Sequence, residues 1–74
     1  MNAADREELE GIIQGLEELA SALEDKGLDL EERASNLDER FPDKAETISG
    51  QATLVDDARE SIEDAVNTIR EAMG

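Results

Sequence analysis

Residues 26–32 read Lys26-Gly27-Leu28-Asp29-Leu30-Glu31-Glu32, and how this stretch is read decides how many helices the chain has. A basic residue followed by glycine suits the end of a helix, where glycine closes the last turn in a left-handed conformation. Asp29 with Glu32 three residues on has the spacing of a capping box, in which each side chain satisfies a free backbone N–H of a new helix. The sequence therefore predicts a stop at Gly27 and a fresh start at Asp29.

Upstream, apolar residues at 9, 12, 13, 16, 19, 20 and 23 recur at the three-and-four spacing of one helical face, which predicts a helix over about 4–26. Asn2 or Asp5 can cap it, the latter through Glu8. Downstream, Leu30, Ala34, Leu37 and Phe41 alternate by four, three and four, predicting a short helix over about 30–40. Pro42 disfavours helix at the residue before it, and Asp43 with Glu46 offers another capping pair, so a third helix is predicted over 43–73. Its positions 45, 48, 52, 55, 59, 62, 66, 69 and 73 form an unbroken three-four alternation interrupted only by Arg59. Gly50 costs about 1 kcal/mol relative to alanine and marks a candidate kink. The expected fold is all-α: one domain over 1–74, folded as a three-helix bundle or a helical hairpin with a bent arm. Pairing of two copies through the long seam is the expected route to a homodimer.

Composition narrows the chemistry. The 74 residues carry 21 acidic and 7 basic side chains for a net charge of -14, with one aromatic, no cysteine and no histidine. A chain this short buries only about 60% of its unfolded surface, so its core is thin. Disulfides, thiolate ligands and a neutral-pH proton shuttle are excluded by residue type. Carboxylate pairs abound, as at Glu7-Glu8, Glu17-Glu18, Glu31-Glu32 and Asp56-Asp57. At this density they read as solvated faces, and the absence of pocket-forming aromatics argues against an enzyme. The serines at 21, 35, 49 and 61 have no histidine to activate them. Neither a di-iron Glu-x-x-His pattern nor a calcium-loop spacing occurs, so neither a metal site nor a cofactor is expected.

Apolar runs of two or three residues fall far below the roughly 18 needed for a membrane span. The first residues, Met1-Asn2-Ala3-Ala4-Asp5, are neither basic nor apolar, which favours a cytoplasmic setting without a secretory signal. A pI near 4.1 makes nucleic acid and anionic lipid repulsive and a protein with a basic surface the natural partner. The charge has two readings: solvation in a high-salt cytoplasm, or rows of carboxylates that imitate nucleic-acid phosphates. In composition the chain resembles small acidic phage-type inhibitors of the anti-restriction and anti-CRISPR kind. Under mimicry the expected partner-binding residues are Glu17, Glu18, Asp56 and Asp57. Arg59 is costly on an apolar seam unless its head reaches water or a carboxylate; it either fixes register or touches a partner. Gly11 and Gly15 form a small-xxx-small pair that would suit close approach of another backbone.

Leu23, Glu24, Leu28, Leu30, Glu31, Glu32 and Leu37, within residues 16–39, follow a leucine-glutamate pair, glycine turn and leucine-x-leucine-glutamate-glutamate pattern. This resembles the small subunit of exodeoxyribonuclease VII, with Pro42 and the lack of a glycine near Arg40 as departures. The resemblance implies a noncatalytic accessory subunit that packs on a larger nuclease subunit through apolar seam residues, here Leu23, Leu30, Leu37 and Val66.

Overall fold

The computed structural model describes residues 1–74 and contains two helices, α1 (Ala3–Leu37) and α2 (Pro42–Met73), folded back on each other as a hairpin of 58 × 15 × 10 Å. The expected three-helix arrangement is thus corrected: the predicted first and second helices are one helix of 35 residues. No glycine has a positive φ, so Gly27 does not take the left-handed turn that a stop requires. Asp29 caps nothing. It lies on the surface of α1 and pairs with Lys26 at 3.3 Å and Arg33 at 3.0 Å.

The reason is that the apolar spacing runs straight through the predicted stop. Leu9, Ile13, Leu16, Ala20, Leu23, Gly27, Leu30, Ala34 and Leu37 are the buried or half-buried residues of α1, an unbroken heptad seam. Ending the helix at Gly27 would separate Leu30, Ala34 and Leu37 from it. Glycine costs a helix about 1 kcal/mol, whereas burying one leucine returns about 1.5–3 kcal/mol. Tertiary packing therefore overrides the local stop signal. Ile12 and Leu19, which the sequence placed on the same face, are 50% and 58% exposed.

The α2 seam is the one read from sequence, from Ala45 to Met73, and the helix continues through Gly50 without a break. The true turn is Asp38–Phe41, where the amides of Arg40 and Phe41 both donate to the Leu37 carbonyl. Phe41 leaves the seam predicted for it: it is the N-cap residue of α2, 49% exposed, with the Lys44 ammonium 5.3 Å from its ring centroid. Pro42 occupies the first helical position, where a missing N–H costs nothing; Asp43 lies in the first turn rather than at the cap. At the other end Asn2, not Asp5, is the cap, its side chain accepting from the Asp5 amide at 2.7 Å.

A Cβ built on Gly27 would lie 3.9 Å from Val55 Cγ1, which pairs these two seam positions and, because the helices are antiparallel, sets the whole register. Moving outward gives Leu30 with Ala52, Ala34 with Ile48 and Leu37 with Ala45 toward the turn, and Leu23 with Arg59, Ala20 with Ile62 and Leu16 with Val66 toward the open end. Most layers set a large side chain against a small one, which lets two helices approach closely without voids or clashes. The long seam expected to mediate a dimer is therefore occupied by α1. No helix is long and apolar enough to cross a membrane.

Candidate protein-binding faces

With core positions a (Ile13, Ala20, Gly27, Ala34 in α1; Ala45, Ala52, Arg59, Val66 in α2) and d fixed, the remaining heptad positions fall on two broad faces. The e positions of both helices share one face. On α1 they are Glu10, Glu17, Glu24 and Glu31, repeating every seventh residue, about 10.5 Å apart; on α2 they are Ser49, Asp56, Glu63 and Arg70. Outside them run Glu18, Asp25 and Glu32 on α1 and Asp57, Asp64 and Glu71 on α2. All but four of the 21 acidic residues lie on this face and its outer margins; the exceptions are Asp5, Glu8, Asp29 and, in a groove with Lys44, Thr47 and Gln51, Asp43.

Carboxylates of the two helices meet here with little compensation. Glu24 and Glu63 line one groove, and Glu24, Glu31 and Asp56 line the next. The single ion pair between the helices, Arg70 Nη2 to Glu17 Oε1 at 2.9 Å, closes one end of the row. Arg59 supplies the second cation. Its side chain starts on the seam, 20% exposed, and its head turns to this face. Nε and Nη2 donate to Asp56 Oδ1 at 3.0 and 2.8 Å, and Nη1 donates to both Glu63 oxygens at 2.9 Å. The hydrogen bonds to Asp56, then those to Glu63, hold the guanidinium well above its already high ordinary pKa. Its head is therefore engaged within the chain.

The sequence-derived candidates separate accordingly. Glu17, Glu18, Asp56 and Asp57 all belong to the acidic side, but Glu17 and Asp56 do not adjoin: Glu24 and Glu63 lie between them. Leu30 and Val66 are buried and Leu23 and Leu37 half-buried in the seam between α1 and α2, so their apolar surface is used by the hairpin itself. Residues 16–37 are continuous helix, with no turn at Gly27. No atom other than its own helix and neighbours comes within 4 Å of a Cβ built on Gly11 or Gly15. The Ser61 hydroxyl donates to the Asp57 carbonyl of its own helix at 3.0 Å. No cluster of three acidic side chains is placed to hold a metal ion.

Glu10, Glu24, Glu31 and Glu63 were missed as site residues because the acidic rows emerge only when both heptads are assigned together. The signal was available: once α1 is continuous, its e column is acidic from Glu10 through Asp38. The second broad face, made of g and c positions, is almost free of acid. Compared with family models, curated proteins and solved structures, the chain matches none.

Proposed function

We propose that the chain is a non-enzymatic interaction module whose acidic broad face occupies the basic surface of a nucleic-acid-binding protein and excludes nucleic acid from it. The observation that carries this reading is the ordering of carboxylates on a straight double helix-rod 58 Å long. Spread over that length, the acidic side presents roughly one carboxylate per 3 Å, near the 3.4 Å per phosphate of one nucleic-acid strand. Rigid spacing matters because a helical backbone that is already formed need not be ordered on binding, and complementary potentials raise both the encounter rate and selectivity. Glu24, Glu31 and Glu63 are the centre of the proposed contact, with Glu17, Glu18, Asp56 and Asp57 around it.

The test is capture with immobilised full-length chain, washed at 0.1 M and 1 M NaCl, in parallel with a Glu24→Gln, Glu31→Gln, Glu63→Gln triple variant. The reading expects a nucleic-acid-binding protein that elutes with salt, is lost from the variant, and loses nucleic acid when the wild-type chain is added. A partner retained at 1 M salt and indifferent to the glutamine substitutions would overturn it in favour of apolar docking as an accessory subunit. Recovery of the chain alone would favour a self-associating scaffold.

A further inference from the structure

The g and c positions build the second broad face. Its centre is apolar or small: Ile12, Leu19 and Leu54, 50%, 58% and 69% exposed, with Ala58 and Ala65, also exposed. The acidic residues avoid it apart from Asp5, Glu8, Asp29 and, beside Lys44 at the turn end, Asp43; Asp29 is already paired to Lys26 and Arg33. In a chain of net charge -14, a face cleared of repulsion is the face able to meet an equally acidic molecule. We infer that this face is the contact between two copies of the chain, packed face to face and antiparallel into a four-helix bundle.

Area supports a second copy as the occupant. A globular monomer of 8.1 kDa exposes about 4,500 Å², whereas the hairpin exposes 5497 Å² and has only 7 buried residues. The excess of about 1,000 Å² is close to the 800 Å² that each partner contributes to a standard interface. No such excess would remain if the face were covered along the length of the rod.

Charge order along α1 sets the relative direction. Asp5 and Glu8 sit at the open end of the face, Lys26 and Arg33 toward the turn, and Leu19 is equidistant in sequence from Asp5 and Arg33. A two-fold axis at Leu19 that runs α1 antiparallel to its copy therefore brings Asp5 of one copy opposite Arg33 of the other, twice. A two-fold axis along the rod would instead lay α1 over α2 of the other copy and forgo both Asp5–Arg33 pairings. Gly15 and Ala22, on either side of Leu19, leave room for the paired leucines, and the interface is isologous, as two-fold symmetry requires. The acidic faces of both copies point outward, as far apart as the bundle allows. This pairing is independent of what the acidic face binds.

The test is the mass of the full-length chain at about 100 µM in 0.3 M NaCl, by light scattering or sedimentation equilibrium, with helicity followed by circular dichroism. A mass twice 8.1 kDa is expected, and a monomer would overturn the inference. Leu19→Glu and Ala65→Glu are expected to weaken the dimer at least about 100-fold, and a dimer unaffected by both would overturn the choice of face. The charge swap remains decisive if those variants unfold. Asp5→Arg and Arg33→Glu alone should each weaken the dimer about 10-fold, and the double variant, with unchanged net charge, should recover to within about 3-fold of wild type. Failure of the double variant to recover would overturn the antiparallel arrangement.

Discussion

Gly27 of α1 and Val55 of α2 face each other across the seam with the space of a methyl group between them: a Cβ on Gly27 would meet Val55 Cγ1 at 3.9 Å. That distance is ordinary van der Waals contact, and the backbone there is helical. Gly27→Ala should therefore stabilise the hairpin by about 1 kcal/mol through helix propensity, with a further contribution from the added contact. Gly50→Ala gains the propensity alone, since a Cβ there meets nothing within 4 Å. Chemical denaturation of both variants reads the difference, and a destabilised Gly27→Ala would mean that the helices lie closer than described.

That one position also shows what the sequence conceals. Lys26-Gly27 and Asp29-x-x-Glu32 are sound local signals for a stop and a start, and each is overruled by a seam that extends to Leu37. The α2 seam was legible because its local exceptions, the candidate kink at Gly50 and the charge of Arg59, carry no stop-and-start pattern like that at Lys26–Glu32. Arg59 was legible as an exception needing a carboxylate, but which carboxylates, Asp56 and Glu63, follows only from helical geometry. The acidic and acid-free faces were not legible at all while α1 was cut in two. A false break shifts attention from columns of the heptad to pairs of adjacent residues such as Glu17-Glu18.

Arg59 is expected to change the sign of its contribution with salt. In dilute buffer it is the cation between Asp56 and Glu63 and within the groove lined by Glu24 and Glu31, so Arg59→Met should lower the melting temperature. In 1 M NaCl the Debye length is about 3 Å and mobile cations take over that role. Methionine then fills the seam opposite Leu23 without a charge to solvate, and the variant should melt above wild type. Melting curves that keep the same order at both salt concentrations would show that Arg59 acts by packing alone. Because its pKa is raised from an already high value, its charge is constant across neutral pH and no loss is expected there on raising pH.

Asn2 holds the first turn through its bond to the Asp5 amide at 2.7 Å. Asn2→Ala should cost about 1 kcal/mol, and in a chain of this size that is a drop of about 4–8 °C in melting temperature. Asp5→Ala removes no cap and should cost less in stability. Amide exchange at Asp5 and Arg6 provides the local measurement: faster exchange confined to this turn in Asn2→Ala is the expected pattern.

Uncompensated charge sets the response of the whole hairpin to its medium. Carboxylates are closer together in the folded rod than in the unfolded chain, most of all in the grooves that bring Glu24 beside Glu63 and Glu31 beside Asp56. Mutual repulsion of these carboxylates works against the folded state, and mobile ions screen it. Raising NaCl from 0.05 to 1 M should therefore lift the melting temperature by roughly 5 °C or more, equivalent to about 1 kcal/mol. A Glu24→Gln, Glu31→Gln variant removes the carboxylates of these grooves that Arg59 does not hold, and should be more stable than wild type in dilute buffer, with a shallower salt response. A wild-type melting temperature that stays flat across this range would show that the acidic rows are too well hydrated to repel one another.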